Sequence, residues 1–264
     1  MSGRIRLTRT RAVAEICIDR VGKHNAMTPA MAEQLARVCA AVNRDASVRS
    51  VVIYGAGEAA FCAGSDIKAL DEYEGVFAFR NRVDYSTELR TIRKPVIAAL
   101  KGYVLGGGLE LALSADVRVA SESALLGAPE VGLGWVGAGG ASQLLPRLAG
   151  FGKALYLLLD GRPVDAAKAY AWGLVEEVVP RGAELDCARD LAHHWSKHTT
   201  VALQTVKAAV RQSMSTPLEA GIRFENETMS LAFALGNDMA GRQHFRQRNR
   251  RKPRRASANP RASK

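Results

Sequence analysis

The chain has 264 residues, of which 47% are hydrophobic, and it carries a formal net charge of +11 at pH 7. Its apolar runs are too short to span a membrane, and no continuous apolar stretch near the N-terminus marks a signal peptide. The four cysteines stand far apart, without metal or redox spacing, and are expected to be reduced. The composition predicts a soluble cytoplasmic protein with one sizeable core and no membrane partner.

Short apolar strands alternate with amphipathic helices along the chain. Ile5 and Leu7 alternate with polar residues as in a strand, and Thr28 followed by Pro29 is typical of a helix start. Further strands are predicted near Val13–Ile18, Val51–Tyr54, Val96–Leu100, Val117–Ala120 and Val175–Val179. This alternation predicts an α/β fold in layers, although periodicity alone does not distinguish a doubly wound sheet from other α/β arrangements.

Two predicted strand-to-helix turns can each present a backbone N–H group. The first is the tight loop Phe61–Lys68, and the second begins at Gly106–Gly108, where three glycines open a helix that carries Glu110 one turn in. N–H groups at a helix start are unpaired and lie at the positive end of the helix dipole. The two turns therefore predict a site for a negatively charged oxygen.

Two glutamates accompany these turns. Glu110 is surrounded by leucines and alanine, and a buried carboxylate is unfavourable unless it is functional or held in a structural ion pair. Glu130 follows Pro129 and, taken alone, is an ordinary loop or helix-start acid. The glycines of 132–137 match a dinucleotide-binding pattern, but no clean strand precedes them, so a close-packed turn beside Glu130 is the better interpretation.

The histidines predict no metal site. His194 and His198 have the i,i+4 spacing of a ligand pair, but no carboxylate or cysteine motif accompanies them. A solvated helix face explains them more simply.

The motifs together resemble the enoyl-CoA hydratase (crotonase) family over nearly the whole chain. The matching segments are Lys23–Met27 (KHNAM), Ala63–Asp66 (AGSD), Gly106–Gly108 with Glu110, and Pro129–Glu130. The resemblance implies a spiral of ββα turns and a helical C-terminal trimerisation region, and thus a homotrimer or homohexamer. The implied domains are a spiral core at 1–195, a helical region at 196–250 and a basic, disordered tail at 251–264.

The resemblance also implies roles for the site residues. The N–H groups of Ser65 and Gly107 would form the oxyanion hole, while Glu110 acts on water and Glu130 on the substrate Cα. Many relatives with other chemistries lack one of the two glutamates. The Ser65 hydroxyl is expected to cap the following helix and to be replaceable.

The implied activity is the addition of water to a 2-enoyl-CoA, or the reverse dehydration, without a cofactor, because coenzyme A is part of the substrate. CoA contacts are expected at Lys23, Ala63, Asp66 and Ile67. Double-bond isomerisation and thioester hydrolysis remain alternatives within the same fold.

Two departures from the family pattern affect the acyl pocket. Gly137 stands where a proline is common, and Leu144 stands where an arginine is common. Candidate residues for the pocket, or equally for the core, are Tyr73, Phe77, Phe79, Tyr85, Trp135 and Phe151. The acyl group of the substrate therefore stays open.

Positive charge is concentrated at the C-terminus. Ten lysines and arginines and no acid lie after Gly241, so residues 1–241 carry a net charge of only +1. The stretch 244–250 resembles the family's segment near the CoA phosphates. The residues beyond it suit a solvated tail, and a nucleic-acid-binding protein that uses this tail is the alternative from another functional class.

Overall fold

The computed structural model describes residues 3–236, 239 and 242–243. The strands are β1 Arg4–Thr10, β2 Val13–Asp19, β3 Ser50–Gly55, β4 Ala60–Cys62, β5 Val96–Leu100, β6 Tyr103–Leu105, β7 Val117–Ser121, β8 Leu125–Gly127, β9 Val164–Asp165 and β10 Glu177–Val179. The α-helices are α1 Pro29–Arg44, α2 Gly75–Arg80, α3 Tyr85–Arg90, α4 Gly107–Ser114, α5 Ala141–Ala149, α6 Phe151–Asp160, α7 Ala166–Ala171, α8 Glu184–Trp195, α9 Thr200–Gln212 and α10 Leu218–Ala234. Short 3₁₀ helices span Val21–Lys23, Ile67–Glu72 and Pro129–Leu133.

The larger sheet has six strands in the order β1-β2-β3-β5-β7-β10. β1 is antiparallel to β2, and the other neighbours are parallel. Alternate residues of β3 pack on opposite faces: Val51 and Ile53 belong to the main core, whereas Val52 packs in a second cluster with Ala188 and Ala192 of α8. Because both faces are covered, the central strands are apolar at almost every position.

A smaller sheet of four strands has the order β4-β6-β8-β9. β4, β6 and β8 are parallel, and each follows a strand of the larger sheet and precedes a helical segment. The chain therefore repeats a ββ-helix unit, which is the spiral that the family resemblance implied. The ends of β4, β6 and β8 lie side by side, so the turns that leave them are neighbours in space.

Most predicted elements are confirmed. The five internal strands and the N-terminal strand with Ile5 are present, and Thr28 caps α1 by accepting a hydrogen bond from the Met31 N–H at 3.2 Å. Two boundaries were wrong. The strand predicted to begin at Val175 begins at Glu177. Phe61 and Cys62 belong to β4, so the turn begins at Ala63 rather than at Phe61.

The C-terminal region contains α9 and α10, in agreement with a helical segment after residue 196. The domain boundaries at 195 and 250 stay predictions, and the tail at 251–264 lies outside the described residues. Within the described part of the chain, no helix has both the length and the apolar character that a membrane crossing requires.

Candidate active site

The turns after β4 and β6 touch each other. Gly64 and Gly106 both have positive φ values, +94° and +55°, which side chains other than glycine rarely adopt. A methyl group added at Gly64 would lie 3.1 Å from the Gly107 nitrogen, and one added at Gly108 would lie 2.0 Å from the Cys62 carbonyl oxygen. Glycine at these positions lets the two turns approach at backbone distance.

Two unused N–H groups lie at this junction. Gly107 is the first residue of α4, and its N–H has no backbone acceptor within the described structure; neither has the N–H of Ser65. Both groups belong to the contacting turns, as the sequence predicted. Their arrangement suits a carbonyl oxygen that gains negative charge.

Glu110 lies on α4, one turn from these donors, and is only 5% exposed. Its Oε1 accepts a hydrogen bond from the Ala141 N–H at 3.1 Å. Burial raises the pKa of the Glu110 carboxyl, while hydrogen bonds from the backbone of Ala141 and Gly139 oppose that rise. Methyl groups added at Gly137 or Gly139 would come within 2.6 Å of its oxygens, so these glycines make room for the carboxyl group.

Glu130 lies on the other side of the glycine turn, in the 3₁₀ helix Pro129–Leu133. A methyl group at Gly106 would lie 3.0 Å from its Oε1. Its Oε2 is buried and has no hydrogen-bond partner among the described residues. Burial raises the pKa of the Glu130 carboxyl, and the charge of Glu130 adds to the rise at Glu110. Two carboxyl groups of raised pKa therefore share one site.

Arg90 supports the loop that holds Glu110, and the sequence analysis did not identify it. Its guanidinium donates to the Gly139 carbonyl and to the Ser114 hydroxyl, both at 2.9 Å. Ser114 in turn donates to the Glu110 carbonyl at 2.8 Å. The only sequence signal for Arg90 was its place at the end of a helix, which does not indicate a long-range contact.

A cavity of about 340 Å³ joins these groups. Its walls include the four predicted site residues together with the CoA-contact candidates Ala63 and Ile67. Of the six aromatic candidates, Phe79, Tyr85 and Trp135 line it. Phe77 and Phe151 are 81% and 74% exposed, so they belong neither to its wall nor to the core.

Asp66 and Lys23 lie outside the cavity wall. Asp66 forms a 2.7 Å ion pair with Arg20 and caps the 3₁₀ helix Ile67–Glu72 by accepting the Lys68 N–H at 3.1 Å. The prediction that Ser65 caps this helix was wrong, because the Ser65 hydroxyl instead contacts the Tyr85 hydroxyl at 3.0 Å. Lys23 is exposed in the 3₁₀ helix Val21–Lys23.

Two motifs of the sequence remain, the glycines of 132–137 and the pair of histidines. Gly132 lies in the 3₁₀ helix Pro129–Leu133, which follows the three-residue strand β8, and Gly134 and Gly137 lead into the loop around Glu110. His194 and His198 contact each other edge to face, with ring centroids 6.1 Å apart. In the described part of the chain, no group of three or more potential metal ligands occurs.

Comparison with known proteins gives consistent matches over most of the chain. A sequence model of the enoyl-CoA hydratase/isomerase family matches residues 8–254. The short-chain-enoyl-CoA hydratase of Clostridium acetobutylicum is 34% identical, covering 84% of this chain and 86% of the relative. The 2,3-dehydroadipyl-CoA hydratase of Escherichia coli is also 34% identical, covering 92% and 95%. The crystal structure of an enoyl-CoA hydratase from Bacillus anthracis superimposes with a TM-score of 0.87 at 32% identity, covering 92% of this chain and 96% of that chain.

Proposed function

The chain belongs to the enoyl-CoA hydratase/isomerase family, and from this premise we propose that it hydrates a 2-enoyl-CoA, or catalyses the reverse dehydration, through a thioester enolate. The observation that carries the proposal is a buried Glu110 and a half-buried Glu130, whose Oε2 atom is buried without a partner in the described structure, beside two unused N–H donors. An enolate reaction needs an acid–base group and an oxyanion donor in one cavity.

The N–H groups of Ser65 and Gly107 stabilise the developing enolate. When water adds at Cβ, negative charge moves onto the thioester oxygen, and preorganised donors bind that oxygen more tightly than the neutral carbonyl. Each such donor contributes about 3 kcal/mol in other oxyanion holes. Because the donors belong to the backbone of two contacting turns, they need no rearrangement during the reaction.

The two carboxyl groups divide the proton transfers. Glu110 receives backbone N–H donors, which favour its ionised form, so it takes a proton from water. Glu130 has an oxygen without a partner in the described structure, and this favours its protonated form, so it delivers a proton to Cα. This division agrees with the roles that the family resemblance implied.

We place the thioester in the 340 Å³ cavity, with Ala63 and Ile67 along its CoA side. Lys23 is exposed and available to phosphate groups. Asp66 supports the turn through its ion pair with Arg20, and a contact between Asp66 and CoA stays a prediction. The scheme uses no redox step and no cofactor besides the CoA of the substrate. The identity of the substrate's acyl group is left undecided. By their names, the two relatives above hydrate different acyl groups, one a short-chain enoyl-CoA and the other 2,3-dehydroadipyl-CoA.

The test is an activity panel with product analysis. Crotonyl-CoA and longer, branched and aromatic 2-enoyl-CoA thioesters are assayed for loss of the conjugated double bond and formation of the 3-hydroxyacyl product. A 3-enoyl-CoA and a saturated acyl-CoA test isomerisation and hydrolysis in parallel. Hydration of at least one 2-enoyl-CoA supports the proposal, whereas turnover confined to the 3-enoyl or saturated thioester would replace it by the corresponding alternative.

We further propose that the protein forms a trimer or a hexamer. Apolar side chains are exposed on α10, including Leu218, Met229, Leu231 and Phe233, and their burial between subunits is favourable. Light scattering on the purified protein tests this, and a monomeric mass would contradict it.

A further inference from the structure

Tyr85 lies beside the proposed oxyanion hole, and its hydroxyl has no role in the mechanism above. It is the first residue of α3, a helix capped by Asp84, whose side chain accepts a hydrogen bond from the Thr87 N–H at 2.6 Å. The tyrosine is 9% exposed, and its ring packs in the main core. Cap and core together hold the phenol in one position.

The Tyr85 hydroxyl contacts both residues that carry the backbone donors. It lies 3.0 Å from Ser65 Oγ, and a methyl group added at Gly107 would lie only 1.9 Å from it. Tyr85 also lines the cavity together with Glu110 and Glu130. A thioester oxygen bound by the Ser65 and Gly107 N–H groups would therefore lie next to this hydroxyl.

The phenol keeps its proton. Burial, the main cause, raises the pKa of Tyr85 well above its ordinary value, and the nearby Cys62 and Glu110 raise it further. Among the described residues the hydroxyl has one hydrogen-bond partner, Ser65 Oγ, and either oxygen can donate in that pair. When Ser65 donates to the Tyr85 oxygen, the Tyr85 O–H is left to donate to a ligand.

We infer that Tyr85 is a further catalytic residue, whose hydroxyl donates a hydrogen bond to the thioester oxygen and so adds a side-chain donor to the two backbone donors. The inference rests on the proposed enolate chemistry. The Ser65 hydroxyl orients the phenol by donating to it. A neutral phenol whose ring is fixed in the core is a suitable donor for an enolate oxygen.

The test compares Tyr85→Phe with Tyr54→Phe. Phenylalanine keeps the ring of Tyr85 in the core and removes only the hydroxyl, while Tyr54 is a half-buried tyrosine of β3 that does not line the cavity. We expect Tyr85→Phe to lower kcat for crotonyl-CoA about tenfold to a hundredfold, with KM within about threefold. Tyr54→Phe should leave both constants unchanged.

Ligand binding separates a catalytic from a structural role. Acetoacetyl-CoA ionises to a stable enolate and mimics the intermediate, whereas butyryl-CoA mimics the uncharged ground state. Tyr85→Phe should weaken binding of the enolate by a factor similar to the loss in kcat and leave the affinity for butyryl-CoA unchanged. Equal weakening for both ligands would show that Tyr85 only supports the cavity, and an unchanged kcat with unchanged enolate affinity would overturn the inference.

The binding comparison also separates this inference from the hydratase proposal. If the wild-type protein bound the acetoacetyl-CoA enolate through Tyr85 but hydrated no 2-enoyl-CoA, the hydratase proposal would be wrong, and the role of the Tyr85 hydroxyl as a donor would stand. If it hydrated crotonyl-CoA and Tyr85→Phe behaved as the wild type, the reverse would hold.

Discussion

At the residue scale, the site depends on small residues that let charged groups and backbone approach closely. Gly64 and Gly106 bring two turns together, and Gly137 and Gly139 leave the space that the Glu110 carboxyl occupies. A methyl group at Gly137 would lie 2.6 Å from Oε1 of Glu110, so close contact with the carboxyl group needs a residue without a side chain here. Larger residues at these positions would displace the carboxyl group or the backbone donors.

The backbone origin of the donors predicts opposite effects for two substitutions. Ser65→Ala keeps the N–H and should lower kcat only a few-fold, whereas Gly107→Pro removes an N–H and places ring atoms against the Tyr85 hydroxyl, so activity should be lost. Crotonyl-CoA turnover and circular dichroism on both variants check this. A folded Ser65→Ala enzyme that bound CoA but had no activity would mean that the serine hydroxyl performs chemistry.

The raised pKa of Glu130 predicts how stability depends on pH. In the folded protein this carboxyl binds its proton at a higher pH than in the unfolded chain, where its pKa is about 4.3. The folded state therefore loses stability as the pH rises from about 4.3 through the raised pKa of Glu130. The Glu130→Gln variant cannot ionise at this position and should not lose this stability. Thermal unfolding should show the variant more stable than the wild type at pH 8 and equal to it at pH 4. A difference that is the same at both pH values would refute the assignment.

Glu110 and the two glycine-containing turns could be predicted from the residues themselves, whereas the roles of Ser65, Gly107 and Glu130 came from the family resemblance. The four residues line one cavity, and their catalytic roles stay predictions. Arg90 and the Ser65–Tyr85 contact were missed as parts of the site, since they join residues whose partners lie 20 to 49 positions away. The cap of the 3₁₀ helix was assigned to Ser65 instead of Asp66, because both residue types cap helices and they are adjacent.

At the element scale, the site lies where the short parallel strands β4, β6 and β8 end side by side. The long strands of the larger sheet were predictable, because burial on both faces makes them continuously apolar. The strands of the smaller sheet have two or three residues each, too few to show alternation, so the sequence predicted none of them as strands and part of β4 was assigned to a loop. Each turn could thus be predicted from the sequence by itself, whereas the contact between the two turns could be seen only in the structure.

Helix α9 is held to the spiral by buried charge. Asp116, just before β7, binds Lys207 at 2.6 Å and Arg211 at 3.0 Å, and burial lowers the pKa of Lys207 to about 8. Asp116→Ala removes the carboxylate from a lysine whose side chain is 7% exposed, so we expect a loss of about 3 kcal/mol in the free energy of unfolding.

Urea unfolding of Asp116→Ala measures this loss, with Asp160→Ala as the matched control. Asp160 pairs with Arg162, whose side chain is 78% exposed, so the control should leave the unfolding midpoint unchanged. Equal effects of the two substitutions would mean that the Asp116 pairs contribute no more than a surface ion pair.

At the scale of the whole molecule, the excess positive charge lies in a different part of the sequence from the proposed active site. The body, residues 1–241, has a net charge of +1, and the excess of basic over acidic residues lies after it. The strongly basic composition therefore carries no information about the active site, and the enzyme interpretation depends on the site rather than on charge. The fold of the C-terminal tail was a compositional prediction that falls outside the described residues.

Removal of residues 251–264 tests the separation of tail and catalytic body. Truncation after Arg250 should leave kcat and CoA affinity almost unchanged, because the removed segment has no large apolar side chain and lies beyond the stretch that resembles the CoA-contacting end. The truncation removes Arg251 and five further basic residues, six in all. Binding to unrelated oligonucleotides should therefore weaken and lose much of its salt dependence. Loss of affinity for CoA thioesters would place the tail over the ligand.

The most direct test of the central claim, that the carboxyl groups of Glu110 and Glu130 share the proton transfers of one enolate reaction, is the kcat for hydration in Glu110→Gln and Glu130→Gln. Glutamine keeps the size of the side chain and removes its acid–base function. Each variant should lose about a hundredfold or more in kcat while KM stays within a few-fold. Near-normal turnover of crotonyl-CoA by either variant would remove that glutamate from the mechanism and contradict the account.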